Sequence, residues 1–139
     1  MDAPPEKYAA RSEADVLALV TANPFAWVVS AGEAFSATPL PLRPRLDEAG
    51  QLTALAGHFA RTNPQVARLR AVPRALMLFM GPHGYVSPSW MADRTQAPTW
   101  NYACAAFECD ITFDEGPEAT RAVLDDLIET MEAGRPKAW

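Results

Sequence analysis

The stretch 57–64 holds the residues whose types and spacing best suit the binding of an anion. Arg61 supplies a guanidinium and Thr62 a hydroxyl, and both stand just before a helix for which Asn63 is the predicted N-cap. A guanidinium, a hydroxyl and the free N–H groups of a helix start together suit a phosphate group. A plainer interpretation stays open, in which Asn63 merely caps the helix, Arg61 is solvated and His58 is an ordinary strand residue.

Two further clusters combine hydroxyl, amide and aromatic side chains at predicted strand ends. They contain Ser87 and Trp90 in the first cluster and Trp100 and Asn101 in the second. Aromatic residues at strand ends belong more often to a core or an interface than to a ligand platform. Apart from Asp93, no Asp, Glu or Lys accompanies the clusters, and the common catalytic motifs are missing. The sequence therefore favours binding over self-contained catalysis, and it assigns no catalytic residue.

The two cysteines predict neither a disulfide nor a metal site. Cys104 and Cys109 lie in one predicted strand at an odd spacing, which places them on opposite faces about 16 Å apart. His58 and His83 are distant in sequence and have no neighbouring ligands of zinc-site spacing. We expect no metal and interpret both cysteines as small buried apolar side chains.

Length and charge limit the class of protein. The chain has 139 residues, 49% of them hydrophobic, which predicts one domain spanning residues 1–139 with an ordinary core. Twelve Lys and Arg against seventeen Asp and Glu give a net charge of −5, which repels a phosphate backbone. Direct nucleic-acid binding is therefore not expected. No apolar run could cross a membrane and residues 1–10 resemble no signal region, so we expect a cytoplasmic protein.

The first half of the chain predicts a helix followed by short strands. Ser12 and Asp15 resemble a capping box that opens a helix ending near Ala22. Residues 25–30 alternate as a strand, a turn follows at 31–33, and a second strand is expected over 35–42. This second strand contains prolines that cannot donate to a ladder, so it should lie at a sheet edge or against a ligand. A hairpin turn at 47–50 then leads into a returning strand over 51–59.

The second half predicts two strand segments, a long loop, a last strand and a last helix. Residues 76–80 are apolar at every position, so both faces of that strand need a cover. We expect a turn at 81–84, a brief strand over 85–87 and an irregular loop over 88–98. The last strand, 99–113, changes its parity, which predicts either a bulge near Ala105 and Ala106 or burial of both faces at the start of the strand. A helix with one apolar stripe follows Gly116 and Pro117, and the whole plan is α+β.

Three motifs in this order and spacing resemble the PaiB-like family of FMN-binding negative transcriptional regulators. They are GHFARTNPQ, LMLFMGPHGYVSPSW and APTWNY, and the resemblance runs from about Pro24 to Asp110. It implies a split β-barrel of the flavin-reductase-like and pyridoxamine-phosphate-oxidase-like type, antiparallel and of Greek-key type, with flanking helices. It also implies a bacterial flavoprotein whose relatives continue with a further carboxy-terminal segment after the position of Trp139.

The resemblance implies FMN as the cofactor and a role for ten residues. Arg61, Thr62 and Asn63 correspond to the phosphate-binding corner with His58 nearby, Thr38 and Leu40 to the strand along the flavin ring, and Ser87, Trp90, Trp100 and Asn101 to residues closing the site. It implies a homodimer that holds flavin at the subunit interface and covers the outer face of residues 76–80. The function expected is regulation without direct DNA readout. The alternative is a flavin-dependent oxidoreductase acting on a small molecule, and the loop 88–98 is expected to become ordered when FMN binds.

Overall fold

The computed structural model describes residues 5–32 and 34–137. Within these ranges three helices and six strands follow one another as α1 (Glu13–Ala22), β1 (Phe25–Ser30), β2 (Ser36–Pro41), β3 (Arg43–Leu46), β4 (Leu52–Ala56), α2 (Gln65–Ala71), β5 (Arg74–Val86), β6 (Thr99–Asp110) and α3 (Pro117–Glu132). Short 3₁₀ turns span Glu6–Tyr8 and Pro88–Trp90. The α+β class is confirmed. Glu33 of the expected first turn, and the chain ends at 1–4 and 138–139, lie outside the described residues.

Antiparallel strands form a four-stranded sheet of order β2-β1-β5-β6 and a separate hairpin, β3-β4. The prediction that the proline-containing strand lies at an edge is confirmed, because β2 pairs with β1 alone in the described part of the chain. The chain bends between β2 and β3 at Leu42, which is buried and donates its N–H to Pro24 O at 2.7 Å. Across the described ranges the two sheets do not join into a closed barrel.

The strands of the large sheet have an inner face that forms the core. Val28 of β1 and Met77 and Phe79 of β5 are buried there, and Phe79 meets Phe107 of β6 edge to face at 5.8 Å. The apolar stripe of α1 packs against this face, with Val20 fully buried. The helix starts where the sequence predicts, because Ser12 Oγ accepts a hydrogen bond from the backbone N–H of Asp15 at 3.2 Å.

The expected turn at residues 81–84 is wrong. β5 runs without interruption from Arg74 to Val86, and its pairing with β6 shifts register between Met80 and His83. The extra residue lies around Pro82, whose missing N–H a bulge tolerates. Gly81 is buried against α1, since a Cβ there would lie 2.9 Å from Leu19 Cδ1. The glycine therefore marks a close approach of helix and strand, and not a chain reversal.

The parity change of the last strand arises because its large residues move from the exposed outer face to the inner face, while β6 itself alternates regularly. The sequence places a bulge near Ala105 and Ala106, but those residues pair regularly with Phe79 and Leu78. The irregularity lies on the partner strand, opposite Ala103, so the predicted position was wrong. Strand β6 also ends at Asp110, three residues before the predicted limit, although Phe113 still packs against the core.

Candidate functional site

Asn63 anchors the loop 57–64 to the edge strand β2. Its side-chain Oδ1 accepts from the backbone N–H of Gln65 at 2.9 Å, and its Nδ2 donates to Thr38 Oγ1 at 3.0 Å. Pro64 already has helical backbone angles, so Asn63 acts as the cap that the sequence predicts. We call Thr38, Leu40, His58, Arg61, Thr62 and Asn63 the α2 corner. A hydrogen bond between the side chains of Asn63 and Thr38 thus connects this corner to the sheet.

Gln65, the first residue of α2 and a neighbour of this corner, is a residue that sequence reasoning missed. Its side chain is fully buried, and its Nε2 lies 2.8 Å from Val28 O and 3.0 Å from Ser36 O. A contact of 3.3 Å to Ser30 Oγ completes the arrangement. The amide thus connects the start of α2 with β1 and β2. A polar residue in a first helical turn usually indicates solvent exposure, and the only signal was its place directly after Asn63 and Pro64.

Arg61 and Thr62 are both exposed and make no hydrogen bond or ion pair with other residues in the described ranges. The N–H groups of Gln65 and Val66 are already bonded to Asn63, so the expectation of free N–H groups at the start of this helix is wrong there. The guanidinium and the hydroxyl are the donors that remain for an anion. Both are acceptable partners of a phosphate oxygen.

The β5-β6 hairpin carries a cluster of exposed aromatic residues at the end next to its connecting loop. Trp100 Nε1 donates to His83 Nδ1 at 3.3 Å, and the two rings stack with centroids 6.0 Å apart. The ring of Tyr85 is tilted against Trp100, with centroids 6.2 Å apart. We call His83, Tyr85 and Trp100 the aromatic ribbon. It stands clear of the core, since Trp100 is 55% exposed.

The remaining predicted residues lie beside this ribbon. Ser87 caps the turn Pro88–Trp90, and its hydroxyl lies 2.7 Å from that of Ser89. Trp90 is 73% exposed, and Asn101 is exposed on β6. None of the three predicted side chains is buried. They form a surface that can meet another molecule.

The structure does not bring the two groups of predicted residues together within one chain. The sheet pairs Thr38 with Val28, Val28 with Met77 and Met77 with Phe107, which is roughly 14 Å across three strand spacings. Trp100 lies seven residues along β6 from Phe107, roughly 23 Å more along the strand. The α2 corner and the aromatic ribbon are therefore on the order of 25 Å apart.

The outer face of the large sheet has no cover in the described structure. Trp27, Leu78 and Met80 share this face, and Trp27 and Met80 are 51% and 56% exposed. Cys104 pairs with Met80 and is also exposed, so its predicted burial is wrong, whereas Cys109 is half-buried on the inner face. Both thiols are free, and they face opposite sides as predicted.

Comparison with known proteins shows the family of this chain. Residues 3–139 match the family described as "Putative FMN-binding domain". The chain belongs to this FMN-binding family. A segment of 48 residues is 48% identical to Protease synthase and sporulation protein PAI 2 of Bacillus subtilis (strain 168). That segment is 34% of this chain and 23% of the relative, so the chain matches about a quarter of the relative's length.

The family match confirms the PaiB-like resemblance and FMN as the cofactor. The residues present fit the phosphate of this cofactor, because the α2 corner contains a guanidinium and a hydroxyl that bond to no other group among the described residues. Nothing in the described ranges groups three metal ligands. Among the same residues, no helix is both long and apolar enough to span a membrane.

Proposed function

We propose that this FMN-binding protein is a homodimeric split barrel that holds the flavin between two protomers. The α2 corner of one protomer binds the phosphate and the ring edge, and the aromatic ribbon of the other closes the site. The observation that carries the proposal is the separation of the two groups, on the order of 25 Å within one chain. Residues of one site that lie so far apart can meet when two copies pack together.

The exposed outer face supports this assembly. Trp27 and Met80 belong to a strip of apolar side chains with no cover from the described residues of the same chain. Contiguous exposed apolar surface of this kind marks an interface in a protein of this size. A twofold contact would bury it against its own copy. Strand β2 contributes Pro39 to this face, opposite Trp27.

The phosphate assignment is tested by FMN and riboflavin titrations. Arg61→Ala should weaken FMN about tenfold or more and leave riboflavin nearly unchanged, because riboflavin lacks the phosphate. Arg121→Ala on the exposed surface of α3 is the matched control and should alter neither affinity. Equal losses for the two flavins would show that the corner does not bind the phosphate. Wild-type protein without saturable FMN binding in equilibrium dialysis would overturn the proposal as a whole.

The dimer is tested by a charge on the outer face. Met80→Glu should convert the dimer into a monomer in sedimentation velocity and lower the affinity for FMN, since a buried unpaired carboxylate is strongly disfavoured. Ala54→Glu, on exposed β4, is the control and should leave both properties unchanged. A monomeric wild type that binds FMN one to one would refute the interface site.

For the role in the cell we propose a cytoplasmic regulator that acts without reading DNA directly. The support is the similarity to a Bacillus protein named for protease synthesis and sporulation, together with a net charge of −5. Regulation would then pass through a protein partner or the state of the flavin. A salt-sensitive mobility shift of promoter DNA by the purified protein would contradict this.

A flavin-dependent oxidoreductase acting on a small molecule is the second candidate. The observation in its favour is the cofactor itself, because bound FMN supplies hydride and electron chemistry while the protein provides position and electrostatics. Stopped-flow bleaching of the bound flavin by NADH or NADPH distinguishes the two. Rapid bleaching favours the enzyme, and a flavin that stays oxidised favours the regulator.

A further inference from the structure

A cavity of about 270 Å³ lies between α3 and the α2 corner. Six apolar residues form most of its wall, namely Leu40, Pro41, Ala60, Val123, Leu124 and Leu127. Packed protein interiors rarely leave a space much larger than a water molecule. An apolar cavity of about 150 Å³ already holds a benzene molecule, so this one has room for about two fused rings.

Helix α3 lies over this cavity without filling it. Val123, Leu124 and Leu127 belong to the apolar stripe of the helix, yet each is only half-buried, and no residue of α3 is buried. Apolar side chains that border a cavity lose contacts on that side. An apolar molecule in the cavity would restore these contacts and remove the same side chains from water.

The polar residues of the wall are Arg43 and His58. The Nε of Arg43 donates to Asp126 at 3.4 Å, and its Nη1 is buried, so these atoms do not meet a ligand. His58 is exposed and makes no hydrogen bond or ion pair with other residues in the described ranges. An imidazole can donate or accept a hydrogen bond. The wall therefore favours a neutral ligand with one hydrogen-bonding group over an anion.

We propose that this cavity binds a small neutral molecule that has an apolar body and one hydroxyl group. The body packs between Leu40 of β2 and the apolar stripe of α3, and the hydroxyl bonds to His58. This goes beyond FMN binding, since Arg61 and Thr62 are not part of the wall. The volume is also below the roughly 300–1,000 Å³ of sites for drug-sized ligands, so FMN does not fit into this space as a whole.

The first test compares two ligands of one ring system in the full chain without FMN. β-Naphthol and β-naphthoate are titrated separately into ¹⁵N-labelled protein at constant ionic strength, and amide shifts are followed by NMR. We expect saturable shifts in α3, β2 and the loop 57–64, with β-naphthoate binding about tenfold more weakly because its charge is disfavoured in an apolar cavity. Equal affinity for the two ligands, or shifts that do not saturate, would overturn the proposal.

The second test fills the cavity from the side of α3. Val123→Phe adds a ring to a residue of the wall and should weaken β-naphthol about tenfold or more. Ala122→Phe is the matched control, because it adds the same ring to the adjacent, exposed residue and should change the affinity less than about twofold. Equal effects of the two variants would refute the site. The ligand comparison on the wild type decides the matter even if Val123→Phe does not fold.

The third test isolates the hydrogen bond to His58. His58→Phe should weaken β-naphthol about fivefold, the loss expected for one neutral hydrogen bond, and should leave naphthalene, which has no hydroxyl, within about twofold. Equal losses for the two ligands would show that His58 makes only a packing contact and would overturn its assigned role. Because no FMN is present, failure of the flavin proposal leaves these outcomes unaffected.

Discussion

The two faces of strand β5 have nearly the same composition and opposite surroundings. Met77 and Phe79 point inward and are 5% and 1% exposed, whereas Leu78 and Met80 point outward and are 37% and 56% exposed. One face is covered by residues of α1, α2 and β4, and the other has no cover among the described residues. Hydrophobic residues on one strand therefore serve two purposes. The inner set holds the protomer together, and the outer set is available to a partner.

The largest expected difference is in the free energy of unfolding, between substitutions at two adjacent residues of β5 that lie on these two faces. Phe79→Ala should lower the free energy of unfolding by about 3–5 kcal/mol, because it removes a buried ring that packs against Phe107. Met80→Ala should lower it by less than about 1 kcal/mol at protein concentrations that favour the monomer. Urea denaturation measures both. Similar losses would mean that the outer face is already packed within one protomer.

Gln65 of α2 makes a buried polar contact with the strands β1 and β2. Gln65→Leu should lower the free energy of unfolding by about 1–3 kcal/mol, since it leaves Val28 O and Ser36 O without their amide donor. The matched control is Gln51→Leu on an exposed turn, which should change stability by less than about 0.5 kcal/mol. A Gln65→Leu variant as stable as the wild type would show that the inner face needs no polar connection to α2.

The sequence predicted the elements that depend on local signals. The cap at Ser12, the edge position of β2 and the helix after Pro117 each follow from residue types within a few positions. The placement of Cys104 and Cys109 on opposite faces of the sheet also followed from alternation. These features need no knowledge of distant residues, and the structure confirms them.

Features that depend on distant residues were not predictable in this way. The glycine at position 81 looks like a turn in sequence, and only the approach of Leu19 on α1 explains it. Likewise, Arg43 carries no signal by itself, because Asp126 lies 83 positions away. The alternation of β1 also does not tell which side is inside, and the small Ala26 is buried while the large Trp27 is exposed.

Helix α3 is packed less closely than α1 and α2, because none of its residues is buried whereas each of the other two helices has a buried residue. Burial would raise the pKa of Asp126, but hydrogen bonds from Arg45 and Arg43 and their charges outweigh burial and lower it. The ionised carboxylate thus stabilises the fold above the unfolded pKa of about 3.9, and this contribution is lost as pH falls through the lower folded pKa. Stability should therefore decline as the solution is acidified below about pH 4.

The matched variants are Asp126→Asn and Asp125→Asn. At pH 7 the first should lower the free energy of unfolding by about 1 kcal/mol, and the second, an exposed residue paired with Arg121, by less than about 0.5 kcal/mol. The difference between Asp126→Asn and wild type should shrink as pH falls below 4. A difference that stays constant down to pH 2 would show that the charge of Asp126 does not hold α3.

The smallest expected effect is on the loop between β5 and β6, next to the aromatic ribbon. Asp93 accepts hydrogen bonds from the backbone N–H and the hydroxyl of Thr95 and from the amide of Gln96. The Thr95 hydroxyl, the Gln96 side chain and the Thr95 backbone, in that order, lower the pKa of Asp93 to about 2. The loop is therefore ordered within itself, yet every residue from 91 to 98 is exposed. It has a local turn and no buried anchor.

FMN should slow amide exchange in most of this loop, but it should not change exchange in the turn formed by Asp93 and Thr95. Without FMN, amide exchange across residues 91–97 should be faster than in β5, and saturating FMN should slow it as the loop covers the ring. Thr95 should be an exception, since its amide is already bonded to Asp93 and its chemical shift should titrate near pH 2. In Asp93→Ala the protection of Thr95 is lost, but the FMN-dependent slowing of its neighbours remains. Exchange that is equally fast with and without FMN would show that the loop covers no ligand, and Trp90 and Trp100 would then be structural aromatics only.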